Sequence, residues 1–298
     1  MSVFNFGSIN IDFVYQVPHL VKPGETLSST HFQSVLGGKG ANQSIALAKA
    51  GVDVKHVGAV NKGDIRFVEQ MQSYGVDCSL VRLCDDVASG HAIIQVDEQA
   101  ENSIILFGGA NQTFCPQQID KALTSAQAGD YLLIQNEINA LHQVMQAAFD
   151  KKMKIVFNPA PMTPSVNELP LSFVDLFVLN EIEAEQISGF VNLNDIKAAL
   201  LERYPESHFV ITLGKQGACF FNKEQEVSVE AFVVNAIDTT AAGDTFIGFF
   251  LAGLEQKQDI TDALSFACAA SALSVTKSGA AQSIPDLNDV NQFLRHPK

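Results

Sequence analysis

The chain has 298 residues, 47% hydrophobic and 17% charged, with 19 Lys and Arg against 33 Asp and Glu for a formal net charge of −14. That length allows one large domain or two ordinary ones around a sizeable core. An acidic surface repels phosphate backbones and argues against a nucleic-acid partner; no apolar stretch reaches spanning length, so no membrane association is expected. The five cysteines (Cys78, Cys84, Cys115, Cys219, Cys268) are odd in number and form no CxxC pair. That suits free, buried thiols in a reducing cytoplasm. The N-terminus MSVFNFGSIN lacks the basic and apolar regions of a secretory signal.

Apolar runs with strand character alternate with helical ones along the chain. Val3–Ile9 reads as a buried strand, with Asn10 and Asp12 just beyond it. Residues 12–35 carry strand signals without a helix. A glycine-rich turn, Leu36-Gly37-Gly38-Lys39-Gly40-Ala41-Asn42, then opens a helix over Ala41–Ala50 that ends at Gly51. Next come a strand over Val54–Val60, a helix over Asp64–Tyr74, and a hairpin of Gly90–Val96 and Ser103–Phe107 around a polar turn at 97–102. Strands over Tyr131–Gln135, Lys154–Asn158, Asp175–Leu179 and Phe209–Leu213 alternate with helices over Ala140–Lys151 and Asp195–Tyr204. The apolar run Ala231–Val234 predicts another strand before the turn DTTAAGDTF, Asp238–Phe246. Helices over Gly243–Leu254 and Asp259–Thr276 follow.

Alternating strands and helices predict βαβ units, a parallel sheet and a layered α/β fold. The stretches at 12–35 and 89–107 predict a second, small sheet, read as a lid inserted in one domain spanning 1–298. Ligands of such folds sit beyond the carboxyl ends of the strands. Asn10 and Asp12, Glu137, Asn180 and Gly214 all fall there.

Two motifs carry chemistry. Three glycines within Gly37–Gly40 let backbone approach a ligand, yet neither GxxxxGK[ST] nor GxGxxG occurs. Lys39 and Asn42, three apart at a helix start, share a face toward a polyhydroxylated ligand. In DTTAAGDTF, Ala241-Ala242-Gly243 leave N–H groups bare at a helix N-terminus, a natural anion site. Asp244 in the first turn either charges the helix, for about 0.3–1 kcal/mol, or accepts a proton while those donors hold a phosphoryl group.

The ordered set Gly7-Ser8-Ile9-Asn10-Ile11-Asp12, Gly37 to Gln43, Asn158-Pro159-Ala160-Pro161, Asn180-Glu181-x-Glu183, Thr212-Leu213-Gly214-x-x-Gly217 and Asp238 to Phe246 resembles the ribokinase family of sugar kinases, the phosphofructokinase-B-like carbohydrate kinases. The resemblance spans nearly the whole chain. It implies an α/β core, a β lid that often mediates homodimers, and γ-phosphoryl transfer from ATP to a sugar hydroxyl with Mg2+. D-ribose at O5 is the first expectation; deoxyribose, a ketohexose or a nucleoside are alternatives. By resemblance Asp244 is the catalytic base and Ala241, Ala242 and Gly243 form the anion hole. Asn10, Asp12, Gly38, Lys39, Asn42 and Glu137 contact the sugar. Asn180 contacts phosphate and Glu183 orders magnesium through water. Thr212, Leu213, Gly214, Lys215, Gln216, Gly217 and Cys268 fall in the nucleotide pocket. Asp238, Thr240, Ser274, Lys277, Gly279 and Ser283 surround a monovalent cation, K+, mostly through main-chain oxygens.

Departures from the pattern bear on the acceptor. Ile247 stands where Asn is common, Phe249 where a small residue is usual, and Lys277 where arginine is. Phe107 is expected near the substrate pocket. Asn61-Lys62-Gly63-Asp64 replaces a glycine-led motif, with Asn61 expected in the left-handed region. A non-catalytic sugar-binding module on the same fold is the reading of a different class; a dehydrogenase is disfavoured by the missing GxGxxG.

Overall fold

The structure, a computed structural model, describes residues 1–99 and 101–295. Its main sheet collects the apolar runs that lack polar alternation. β1 (Val3–Phe6) is buried along its whole length and runs into β2 (Asn10–Gln16), which belongs to a different sheet with β3 (His31–Gly37). The predicted Val3–Ile9 strand therefore divides at Gly7-Ser8, where a Cβ on Gly7 would lie 2.5 Å from the Gly40 Cα. Helix α1 (Lys39–Lys49) follows, then β4 (Val54–Val57), β5 (Ala59–Asn61) and α2 (Ile65–Ser73). The run Val54–Val60 likewise divides, at Gly58. Asn61 is extended (φ −66°), not left-handed as expected, because its Oδ1 caps the next turn through the Gly63 N–H (2.9 Å).

β6 (Arg82–Cys84) pairs with β5; β7 (Gly90–Val96) and β8 (Asn102–Phe107) form the predicted hairpin, whose turn includes Ala100, outside the described residues. Then come α3 (Pro116–Ala122), β9 (Tyr131–Gln135), α4 (Leu141–Asp150), β10 (Lys154–Asn158), β11 (Leu176–Asn180), α5 (Glu181–Ser188), α6 (Leu193–Arg203) and β12 (His208–Thr212). The chain continues through β13 (Ala218–Phe221), β14 (Glu226–Val229), α7 (Ala242–Glu255), α8 (Ile260–Ser274) and α9 (Leu287–Arg295).

The large sheet has the order β14-β13-β12-β11-β10-β9-β1-β4, parallel from β4 to β12 and antiparallel at β13 and β14. One apolar cluster covers one face with α1, α2, α7 and α8; a second covers the other with α3, α4, α5 and α6. Each fully buried Phe or Leu stabilises such a core by about 1.5–3 kcal/mol. The small sheet has the order β3-β2-β7-β8. The run Ala231–Val234 is not a strand, and Asp238 is not at a strand end. The sheet terminates at β14, and the run beyond it lines a cavity while Phe232 packs edge-on to Phe293 of α9 (5.2 Å).

Two contacts position the site. α1 and α7 approach so closely that a Cβ on Gly248 would lie 2.4 Å from the Ala46 Cβ. A Cβ on Gly40 would lie 2.4 Å from the Ser8 N, so the glycine turn lies directly on the β1–β2 connection. Among the described residues no helix is long and apolar enough to cross a membrane.

Candidate active site

In the sheet, β1 is flanked by β4 on one side and β9 on the other. Sequence order therefore reverses beside β1, the point where α/β sheets bind ligands. Polar side chains converge there. Asp244, in the first turn of α7, is 9% exposed; its Oδ2 accepts from Asn42 Nδ2 (3.0 Å) and its Oδ1 from Gln43 Nε2 (2.9 Å). The close α1–α7 packing puts Asn42 and Gln43 within reach: Ala46 and Gly248 lie one helical turn beyond Asn42 and Asp244 on those helices.

Asp244 raises the pKa of Lys39 above its ordinary value; burial opposes this, and Glu137 and Glu183 add to it. Glu137 accepts from the Ser8 hydroxyl and from the Lys39 N–H (3.0 Å), and burial pushes its pKa up. Asp12 is pushed up to about 6, by burial first and by Glu137 second. Asn10 Oδ1 accepts from Asn111 Nδ2 (2.7 Å), and Asn111 Oδ1 accepts from the Ile9 N–H (3.0 Å). Gly38, at φ +93°, lies against Ser8 and Asn10. The six expected sugar contacts thus gather in one region.

A cleft of about 220 Å³ opens beside them, lined by Lys39, Asn180, Glu183, Ala241, Ala242, Gly243 and Asp244, and also by Ile247, Asn158 and Thr239. Ala241 caps α7 in the left-handed region (φ 59°) without a side-chain bond. The Ala242 N–H is directed at the Thr239 carbonyl (3.2 Å), which corrects its expected role as a free donor. The Gly243 and Asp244 N–H groups have no protein acceptor among the described residues and lie at the positive end of α7. Asn180 caps α5: its Oδ1 accepts from the Glu183 N–H (2.8 Å), while its own N–H and Nδ2 donate to the Glu183 carboxylate (3.0 and 2.9 Å). Burial raises the Glu183 pKa.

A second cavity of about 500 Å³ adjoins, sharing Thr212, Thr239, Ala242 and Gly243 with the first. Gly214, Lys215, Gly217 and Cys268 line it, and burial pushes the Cys268 thiol up to about 11. Leu213 packs on the second apolar cluster, and the Gln216 N–H donates back to the Leu213 carbonyl (3.0 Å).

The remaining expected residues divide. Asp238 accepts from the Thr240 N–H (2.9 Å) and the Gly279 N–H (2.9 Å). Burial pushes its pKa up, but these and further bonds outweigh it and leave it below the ordinary value. The Ser274 carbonyl accepts from the Lys277 N–H (3.1 Å), and Ser283 bonds to Ala280. Phe107 does not face the substrate groups. It pairs with His91, on the face of the small sheet opposite Asp12, and their rings lie 5.0 Å apart.

Ser8, Gln43 and Asn158 lay within the motifs quoted from the sequence but were given no role, and Asn111 and Gln135 were not singled out as site residues. Asn158 Nδ2 donates to Glu183 (3.4 Å), and Gln43 Nε2 also reaches Asn158 Oδ1 (3.4 Å). A signal existed: Asn5 and Gln135 are amides inside strands otherwise apolar, and both are fully buried. The Gln135 Oε1 has no partner among the described residues; such an orphan costs about 1–3 kcal/mol.

The pfkB family carbohydrate kinase pattern matches residues 2–287. The ribokinase of Staphylococcus aureus (strain COL) is 38% identical over 296 residues, covering 96% of this chain and 97% of that one. The deoxyribokinase of Salmonella typhi is 34% identical, covering 99% of each. The structure of Arabidopsis thaliana ribokinase complexed with ribose and ATP superposes with a TM-score of 0.88 at 29% identity, covering 99% of this chain and 98% of that one. With its layered sheet, its small second sheet and this cluster of polar groups at the strand ends, the chain belongs to the pfkB family of carbohydrate kinases and is a sugar phosphotransferase.

Proposed function

We propose that the protein is an ATP-dependent ribokinase that phosphorylates D-ribose at O5, with Asp244 as general base. The observation that carries this reading is the Asp244 carboxylate, held by Asn42 and Gln43 beside unpartnered helix N–H groups, between the sugar groups and the clefts. Asn10, Asp12, Gly38, Lys39, Asn42 and Glu137 bind the sugar, carboxylates accepting from its hydroxyls and Lys39 donating. ATP occupies the larger cavity, its γ-phosphoryl at the N-terminus of α7. Asp244 takes the proton of the attacking hydroxyl as the new O–P bond forms and the bond to ADP breaks. The Gly243 and Asp244 N–H groups and Lys39 balance the charge on the moving phosphoryl. The Ala241-Ala242-Gly243 turn acts as the anion hole by leaving that end of α7 uncovered.

Glu183 would hold Mg2+ through water beside the nucleotide phosphates. The described residues hold no cluster of three acidic or metal-ligating side chains, and this suits a hydrated ion carried on phosphates with one nearby carboxylate, Glu183, rather than a protein cage. Magnesium would neutralise phosphate charge there. Asp238, Thr240, Ser274, Lys277, Gly279 and Ser283 would surround K+, mostly through main-chain oxygens, hard donors suited to such a cation. The small sheet acts as a lid within a single kinase domain spanning 1–298. Its exposed Phe32, Ile93, Ile105 and Phe107 supply an apolar face for a homodimer.

Deoxyribose is the second reading, favoured by the deoxyribokinase relative. A panel of sugars and nucleosides with ATP, with and without potassium, tests both; a clear kcat/KM preference for any acceptor over D-ribose overturns the first.

A further inference from the structure

Asp244 is one end of a chain of buried amides whose donors diverge from Gln135, toward the Gly40 carbonyl on one side and the Asp244 carboxylate on the other. The Gly40 carbonyl can only accept, and Asn5 Nδ2 donates to it (2.8 Å) and to the Ser44 hydroxyl (2.8 Å). Asn5 must therefore turn Oδ1 toward Gln135, which donates to it through Nε2 (3.0 Å). The same Nε2 donates to Gln43 Oε1 (2.7 Å), so Gln43 must turn its Nε2 toward Asp244. Were any one of these amides reversed, an oxygen would face an oxygen, ending at the carboxylate. The unpartnered Gln135 Oε1 is what this arrangement leaves behind: both donors of Gln135 are committed and its acceptor goes unused. The same Gln43 Nε2 also contacts Asn158 Oδ1 (3.4 Å), and Asn158 bonds Glu183, so the amides join the carboxylates on the two sides of the cleft.

We infer that Gln43 is a positioning residue for the phosphoryl-transfer step, with its orientation set by Gln135 and Asn5 from beneath the site. It aims the Asp244 carboxylate and does not bind sugar or nucleotide: Gln43 is fully buried and lines neither cleft. This rests on Asp244 acting as base.

The test measures kcat, both KM values and melting temperature for Gln43→Met, Asp244→Asn and the double variant. Removing the aim of a catalytic group costs on the order of 100-fold in rate. The expectation is a fall of that order in kcat for Gln43→Met, with KM for sugar and for ATP within about threefold. In the Asp244→Asn background the same change should lower kcat by less than about threefold, because the group it aims is gone. Gln135→Met, which touches neither cleft, should lower kcat in the same sense but less, and it carries the test if Gln43→Met does not fold. Wild-type kcat in both variants, or an equal loss in both backgrounds, overturns the inference. If Asp244→Asn itself keeps near-normal kcat, the reading of Asp244 fails instead.

Discussion

The turn from Asp238 to Asp244 has an aspartate at each end, and the two are held in different ways. Asp244 is gripped by side chains of another helix, Asn42 and Gln43 of α1, so its position depends on how α1 and α7 pack. Asp238 is gripped by the backbone N–H groups of Thr240 and Gly279 and by the Thr240 and Ser278 hydroxyls, all loop residues, so its position depends on loop conformation. A carboxylate aimed from a neighbouring helix suits chemistry that needs an exact position. A carboxylate set in backbone N–H groups organises a loop and leaves main-chain oxygens pointing elsewhere.

The sharpest contrast is in turnover. Asp244→Ala should lose kcat by at least about 1,000-fold under the proposed role and still bind sugar, measured by titration calorimetry. Near-normal kcat would remove Asp244 as base. Next in size is Gly248→Val. Its methyls would meet Ala46, so it should destabilise by about 1–3 kcal/mol in denaturant melts and lower kcat by prying Asn42 and Gln43 from Asp244. An unchanged kcat at full folding would show that helix packing does not aim Asp244. Asp238→Ala should be milder: a loosened loop, a lower melting temperature, and a changed response of the rate to potassium against sodium. An unchanged potassium response would detach this loop from any cation.

The smallest effect is in pH dependence, where a third aspartate gives the opposite sign. Asp238 has a folded pKa below its ordinary value, so its contribution to stability is present above that value and lost as pH falls through the folded pKa. Asp12 is raised to about 6, so its contribution is present below its ordinary 3.8 and lost as pH rises through about 6. Asp12→Asn should therefore melt higher than wild type at pH 7, with the gap closing toward pH 4. Asp238→Asn should melt lower at pH 7, with its gap closing as the solution is acidified. Parallel melting curves across that range would contradict both assignments.

Much of this was legible in the residues. Tyr131–Gln135 and Lys154–Asn158 read as strands with correct bounds, because runs buried on both faces carry no alternation to confuse them. The hairpin over Gly90–Val96 announced itself by its polar turn. Ala231–Val234 misled for the same reason the others succeeded: an apolar run lining a cavity has the composition of a strand. Phe107 was misplaced because one residue of register moves a side chain to the other face of a sheet. Asn180-x-x-Glu183 is also a helix-capping pattern, and reading it only as a site hid the start of α5.

The amino-acid sequence by itself determined the layered α/β class, the glycine turn before α1, the small-residue turn before α7 and the aspartate in its first turn. These follow from local periodicity, backbone freedom and helix polarity, which neighbouring residues carry. Only the tertiary structure decided which groups meet Asp244. Gln43, Gln135 and Asn5 lie on three elements far apart in the chain, and the direction of their hydrogen bonds is set by one backbone carbonyl at Gly40. An amide presents donor and acceptor almost interchangeably, so no local pattern encodes which end faces the carboxylate. That is settled only when the network closes.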